Sequence, residues 1–586
     1  MKQFFKFMFA SMLGTFLTLI ITIFLLVMIV AGAVMSSTKP DTTIPQSAIL
    51  RLTLDTPINE RSVNNTFSDL GIGTKQATGL YETVNAINTA KTDNHIKGIL
   101  LDLGAVPAGM ATVEEIRNAL LDFKKSGKFI YAYSETYSQK AYYLATTANK
   151  IYLNPVGALD FRGIAGEVMF LKGLMEKLDV QVQVIRHGKF KSAVEPFILD
   201  KMSEANKEQT LTYINAIWKQ MLTGISQTRG ISEDKLNKLA DNLTGYTPTL
   251  AVKEKLVDQL IYKDQLLQEL RKKLNLGENK DINSINLGKY ATAIENRTES
   301  YNKDKIAIIF AQGDIVSGEG DETAIGSEGT SKAIRKARLD KSIKAIVLRV
   351  NSPGGSALAS DVIWREVTLA KKEKPVVVSM GDLAASGGYY ISCAASKIIA
   401  NPNTITGSIG VFGLIPNFQK ALQSKLGITF DKVSTNKHAD FISVYRPMTG
   451  EETNIMQQDI ERIYSTFIGR VAEGRKLAVS TVDEMGQGRV WSGTDAKRLK
   501  LIDDFGGLNK AVEEAAKLAK ISKYSIRTLP KIKDPFVKLM EQLSGDYQDT
   551  RLHAELGSYF TYFTFLRKMA TADKFQARMP YELSVY

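Results

Sequence analysis

Two stretches of this chain repeat one another in a fixed register. His95-Ile-Lys-Gly-Ile-Leu-Leu-Asp-Leu103 aligns with Ser342-Ile-Lys-Ala-Ile-Val-Leu-Arg-Val350, 247 residues further on. Lys150-Ile-Tyr-Leu-Asn-Pro155 aligns with Lys397-Ile-Ile-Ala-Asn-Pro402, and Tyr142-Tyr143 with Tyr389-Tyr390, at the same offset. Ala251 to Asp258 aligns with Ala496 to Asp503 at an offset of 245. A match sustained in one register marks a duplicated unit. The chain must therefore fold as two copies of one domain.

Each copy reads as α/β. In the second, the apolar run Ile343 to Val350 is a buried strand, followed by a Gly/Pro turn and an amphipathic helix from Ala359 to Lys372. Another apolar run, Pro375 to Ser379, and another helix follow. Strands alternating with helices predict parallel βαβ units. The expected organisation is an anchor segment at 1–36, a first repeat at 45–270, a polar join at 271–303, a second repeat at 304–525 and a C-terminal extension at 526–586. The extension is rich in aromatics from Tyr559 to Phe565 and matches neither copy.

At 586 residues, with 44% apolar and 23% charged residues, the chain is neither disordered nor a multi-pass membrane protein. The formal charge of +13 suits phosphate-bearing surfaces such as lipid headgroups, but the basic residues are dispersed. With no long basic tail and no zinc-finger spacing, nucleic acid is not an expected partner. Cys393 is the only cysteine, so no intrachain disulfide and no Cys-rich metal site is possible. It reads as a small core residue. No cofactor or metal is expected.

Residues Phe7 to Met35 carry no charge. A helix needs about 20 apolar residues to cross a bilayer, whereas the apolar part of a signal peptide runs about 7–15. An uncleaved single-pass anchor is expected, with residues 7–35 in lipid. Lys2 and Lys6 precede it, which favours a cytoplasmic N-terminus and an extracytoplasmic body.

The second copy carries two glycine-rich turns. Asn351-Ser-Pro-Gly-Gly-Ser356 follows a strand and frees backbone N–H groups, which can stabilise a developing oxyanion. Met380-Gly-Asp-Leu-Ala-Ala-Ser-Gly-Gly-Tyr389 sets Ser386 at a strand-to-helix turn. This has the logic of a nucleophile elbow, although Ala384 stands where Gly-x-Ser-x-Gly would place its first glycine. A phosphate-binding turn is the rival, but neither Gly-Lys-Ser/Thr nor Gly-x-Gly-x-x-Gly opens a helix here. The first copy is an internal control. It has Gln139 at the position of Ser386, Lys140 at Gly387 and Pro107 at Gly354. Proline has no N–H to donate. Glycines serving only as turn formers would persist in both copies.

A nucleophilic serine needs a base. The chain has four histidines, His95, His187, His438 and His553, none in an evident catalytic context. A lysine base is the alternative, provided burial keeps it neutral. Ser-x-x-Lys occurs at Ser36, Ser300 and Ser434, never at Ser386. Lys191, in Gly188-Lys-Phe-Lys-Ser-Ala-Val-Glu-Pro196, has apolar neighbours and lies in the copy that lacks the serine. From the residues alone both choices of base stay open.

The stretches KFKSAVEPF (189–197), NSPGGS (351–356) and MGDLAASGGYYIS (380–392), in that order behind an anchor, resemble the long-form signal peptide peptidase A (protease IV) family. The resemblance covers nearly the whole chain. It implies a tandem Clp-protease/crotonase-like fold and a Ser-Lys dyad, with Ser386 as nucleophile and Lys191 as general base. Oxyanion donors would come from Gly354, Gly355 and Gly387. It further implies a homotetramer on the bacterial inner membrane, with a periplasmic body, degrading signal peptides left after preprotein cleavage. A crotonase-like acyl-thioester enzyme would explain the glycines but not the anchor or a site split between copies. A non-catalytic scaffold would not explain the intact second-copy turns.

Overall fold

A computed structural model describes residues 2–36, 43–62, 78–295, 302–531 and 575–579. The first copy supplies β1 (Ala48–Leu52), β2 (Ile96–Asp102), β3 (Phe129–Tyr137), β4 (Lys150–Leu159), β5 (Gln181–Arg186), β6 (Gln259–Leu260) and β7 (Ser284–Asn286). The second supplies β8 (Lys305–Gln312), β9 (Asp314–Val316), β10 (Ala324–Gly326), β11 (Ile343–Ser352), β12 (Gly354–Ser356), β13 (Val376–Ala385), β14 (Lys397–Ala400), β15 (Ile405–Gly407), β16 (Phe412–Asn417), β17 (Val490–Ser492), β18 (Asp504–Phe505) and β19 (Ser525–Leu529). A last strand, β20 (Gln576–Arg578), lies near the C-terminus.

The duplication is visible strand by strand. The first sheet runs β6-β4-β3-β2-β1-β7, all parallel. The second runs β17-β15-β13-β11-β8-β19, with β14 branching from β13 and β18 pairing with β14. Only the β15–β17 pair of that sheet is antiparallel. Helices correspond likewise: Leu80–Thr92 with Ser327–Leu339, Met110–Lys124 with Ala357–Glu373, and Glu204–Arg229 with Gly450–Arg475. The last of these starts where the sequence permits. Thr449 accepts a bond from the Glu452 amide while the Glu452 side chain returns to the Thr449 amide. The expected join at 271–303 carries β7, paired with β1, and the helix Leu287–Glu295.

Apolar continuity explains why β11 lies centrally. Helices cover both faces of a parallel sheet, so its central strands are apolar on both sides. Ile343, Ala345, Ile346, Val347, Leu348 and Val350 are all buried. Each large aliphatic side chain among them contributes about 1.5–3 kcal/mol by leaving water.

A third sheet, β10-β9-β12-β20-β16-β5, mixes the copies. Here β5 of the first copy pairs antiparallel with β16 of the second, from Arg186↔Phe412 to Gln181↔Asn417. The segment that follows β5 is thereby delivered onto the second copy. The copies also meet through buried charge. Arg349 on β11 is fully buried and pairs with Glu60 and Glu115 of the first copy, each at 2.7 Å. Burial raises the Glu60 carboxyl above its usual range despite Arg349. Asp382, just before the Ser386 turn, accepts from the Thr112 amide and hydroxyl at the start of the first-copy helix Met110–Lys124.

The residues expected to form an anchor fall within the helix Lys2–Ser36, where Phe7, Phe9, Met12, Leu13, Phe16, Leu17, Leu19, Ile20 and Ile21 are exposed. Many side chains of residues 23–36 lie outside the described set. Among the described residues, no helix is long and apolar enough to cross a membrane. The aromatic run from Tyr559 to Phe565 lies outside the described residues.

Candidate active site

Ser386 sits between the end of β13 and the short helix Gly387–Ser392, with φ 55° and ψ −113°. A non-glycine residue held there costs on the order of 1–3 kcal/mol and persists only when its surroundings over-determine it. They do so here. The Ser386 amide donates to the Gly407 carbonyl at 2.8 Å, and its own carbonyl accepts from the Tyr390 amide at 2.8 Å.

Lys191 follows β5 and precedes the single turn Ser192–Val194. The sequence around it is shaped by close approach. The Phe190 amide donates to the Gln487 carbonyl at 3.0 Å. A Cβ on Gly488, whose φ is +79°, would lie 2.7 Å from the Lys191 Cβ, so only glycine leaves room for the lysine. Gln209 fastens the turn by donating to the Phe190 carbonyl and to Ser192 Oγ, and accepts from the Val490 amide.

These two residues, 195 apart in sequence, meet. Lys191 Nζ donates to Ser386 Oγ at 2.9 Å, and both residues are fully buried. The other partners of Nζ are the Ser408 carbonyl and Ser408 Oγ, each at 3.1 Å. All three are neutral. Burial alone pushes the Lys191 ammonium well below the usual lysine value of 10.5. A dry lysine without a carboxylate partner favours its neutral form, which has the lone pair a proton acceptor needs.

Of the glycines, Gly354 (φ +105°) lies where β12 begins, and its amide donates to Ser352 Oγ at 3.1 Å. Gly355 pairs with β9 on one side and β20 on the other. The Gly387 amide nitrogen lies 2.8 Å from where a Cβ on Gly354 would begin. Gly354 and the amide after Ser386 thus border one small space, which suits a developing oxyanion, whereas Gly355 lies against the Ile315 backbone of β9.

The histidines are engaged elsewhere. His187 stacks on Tyr464 at 3.7 Å and pairs with Glu461, His95 pairs with Asp93, and His438 with Glu451 and Glu452. His553 lies outside the described residues. Among the described residues, no group of three His, Cys, Asp or Glu side chains could hold a metal. Cys393 is buried, and burial pushes its thiol up to about 12, away from nucleophilic use. In the first copy, Gln139 accepts from the Arg162 and Gly163 amides and donates to the Gly163 carbonyl. The disused elbow has become a clamp on the loop leading toward β5. Sequence reasoning missed Ser408. The comparison of copies would have pointed there, because Phe161 stands at the same offset of 247.

The model of peptidase family S49 matches residues 122–277 and 368–522, one stretch in each copy and more than half of the chain together. The chain belongs to peptidase family S49. This S49 chain is 42% identical to Protease 4 of Salmonella typhi over 461 residues, covering 77% of this chain and 74% of that one. It is 39% identical to Protease 4 of Haemophilus influenzae over 448 residues, covering 75% and 72%. It is 34% identical to the chloroplastic serine protease SPPA of Arabidopsis thaliana over 464 residues, covering 78% and 68%. The S49 chain is accordingly a serine protease of the long, two-copy form, with a mixed α/β fold.

Proposed function

We propose that this S49 protease is a membrane-anchored endopeptidase working by a Ser386–Lys191 dyad on signal peptides left in the membrane after preprotein processing. The observation that carries the reading is the 2.9 Å bond between Lys191 and Ser386 in a site where burial disfavours the ammonium. Lys191 takes the proton of Ser386 Oγ as that oxygen attacks a peptide carbonyl. The tetrahedral oxyanion is held by backbone amides of the Gly354–Gly355 turn and Gly387. Collapse breaks the C–N bond, and Lys191 returns the proton to the leaving amine. It then deprotonates the water that releases the acyl group from Ser386. Ser408 keeps Nζ aimed at Oγ through both halves of the reaction.

The uncharged run Phe7 to Met35 and the helix Lys2–Ser36 support a single-pass anchor in the bacterial inner membrane, with a cytoplasmic N-terminus and a periplasmic body. The family resemblance supports a homotetramer and a Clp-protease/crotonase-like reading of the two sheets. The decisive experiment is hydrolysis of a detergent-solubilised signal peptide by the wild type, Ser386→Ala and Lys191→Ala, with circular dichroism to verify folding. Both variants should be folded and inactive. A folded Lys191→Ala variant with wild-type turnover would move the base elsewhere.

A further inference from the structure

The four residues Gln487–Val490 of the second copy bind both sides of the lysine site. Toward the first copy, the Gln487 carbonyl accepts from the Phe190 amide at 3.0 Å, and the Val490 amide donates to Gln209 Oε1 at 3.2 Å. Toward the second, the Gly488 amide donates to the Ile409 carbonyl and the Arg489 carbonyl accepts from the Ser408 amide, each at 2.7 Å. The backbone of Arg489 thus holds the residue whose side chain and carbonyl receive Lys191 Nζ.

The side chain of Arg489 grips the residue before the base. Its guanidinium carbon lies 4.6 Å from the ring centroid of Phe190 and 4.5 Å from that of Trp491. Both distances are within the range of a cation–π contact. Arg489 Nε is buried and has no hydrogen-bond partner among the described residues, so the rings rather than hydrogen bonds hold this part of the group. Nη2 reaches Glu208 at 2.8 Å, but that carboxylate is half exposed, and such ion pairs contribute little.

The duplication supplies a control. At the offset of 245, Gly488 corresponds to Leu243 and Arg489 to Thr244; at 247, Phe190 corresponds to Lys437. Gly488 and Leu243 share a left-handed backbone, with φ 79° and 49°. The turn is therefore common to both copies. The glycine that leaves room for Lys191, the guanidinium and the ring occur together only where the lysine meets the serine.

We propose that Arg489 is a positioning residue of the catalytic base: its guanidinium clamps the Phe190 ring, and through it the Lys191 backbone, while its carbonyl fixes Ser408. This rests on the dyad reading. Lys191 Nζ sits at the end of a long side chain, and a shift of about 1 Å at a reacting contact can cost about 10²-fold in rate.

The experiment measures activation of Ser386 directly, with a fluorophosphonate probe on the full-length protein in detergent micelles. Ser386 Oγ bonds to phosphorus, fluoride leaves, and the hydroxyl proton passes to Lys191. Arg489→Met should lower the maximal labelling rate about tenfold, with the probe's reversible affinity unchanged. Phe190→Leu should do the same, and Phe190→Tyr, which keeps the ring, should restore labelling to within about twofold of wild type. The double variant Phe190→Leu/Arg489→Met should be no slower than either single variant, because both break one contact. Two independent losses of structure would instead multiply to about a hundredfold, and that result would overturn the proposal. So would wild-type labelling by a folded Arg489→Met variant, or a Phe190→Tyr variant as slow as Phe190→Leu. Lys191→Ala judges the dyad separately. Wild-type labelling in Lys191→Ala would remove the base itself, whereas slow labelling there beside wild-type labelling in Arg489→Met would overturn only the role of Arg489.

Discussion

Replacing Lys191 by Met tests the neutrality of the buried lysine through protein stability, without any substrate. Above pH 10.5 the lysine is neutral in the folded and the unfolded chain. Below it, the unfolded chain takes up a proton that the folded chain refuses, because burial holds the folded value well below 10.5. The wild type therefore loses stability as pH falls from 10.5 toward the folded pKa, and Lys191→Met does not. Within that window the slope for one proton is about 1.4 kcal/mol per pH unit. The stability of wild type relative to Lys191→Met should thus drop by about 2.7 kcal/mol between about pH 10 and about pH 8, if the folded pKa lies below that range. The substitution also leaves Ser408 Oγ and the Ser408 carbonyl without their donor, a pH-independent cost of about 1–3 kcal/mol. The offset and the slope therefore separate cleanly. The assay is the urea midpoint of the full chain in detergent micelles at a series of pH values, read as the difference between the two proteins. Tyrosines and other groups that titrate in both then cancel. Parallel curves across the window would refute the argument, because they would mean that Lys191 carries its proton equally in the folded and unfolded states.

Three further outcomes follow from the same geometry. Gly354→Ala puts a Cβ at a φ of +105° and into the space shared with the Gly387 amide; kcat should fall roughly 10²–10³-fold, the effect of losing an oxyanion donor, with far-UV circular dichroism unchanged. Ser408→Ala removes one of three acceptors around Lys191 Nζ, and steady-state kinetics should show kcat lowered about tenfold with KM little altered. Arg349→Met strands two buried carboxylates and should destabilise the fold by about 3–5 kcal/mol at neutral pH. Without Arg349 the Glu60 carboxyl, which burial already raises, favours protonation in the folded state. The loss should therefore shrink in thermal melts at about pH 5 relative to about pH 8.

The duplication made most of the fold readable from the sequence. Matching runs such as Ile343 to Val350 and His95 to Leu103 became β11 and β2, and the turn holding Ser386 was marked by small residues that the first copy lacks. What local pattern could not carry were contacts across long stretches of chain. Lys191 reaches Ser386 because β5 crosses to pair with β16, and nothing in the run Gln181–Arg186 announces that partner. Arg349 is a charge in an otherwise apolar strand, and its counterion Glu60 lies 289 residues earlier. The three residues of β20 are too few for any periodicity, and their register is set entirely by the edges they fill.

The division of labour between the copies explains why both were kept. On the proposed dyad, the second copy supplies the strained serine and the glycine turns, and the first supplies the lysine on a segment that packs against Gly488 and Ser408 of the other. Each half is thus chemically incomplete. The buried Arg349 cluster makes their union demanding as well. Arg349 lies three residues before Ser352 on the strand leading into the Gly354 turn, and Asn351 of that strand donates to Glu60 at 2.8 Å while accepting from the Leu383 amide at 3.0 Å. The same first-copy carboxylate thereby holds the strand end bearing the oxyanion turn, and through Asn351 the strand end bearing the nucleophile. A charge this deeply buried tolerates no loose docking, since an unpaired partner would cost several kcal/mol. On the proposed dyad, a chain whose halves have not closed on each other lacks both the base and the fixed turn, so an incompletely folded molecule has no means of cutting its neighbours.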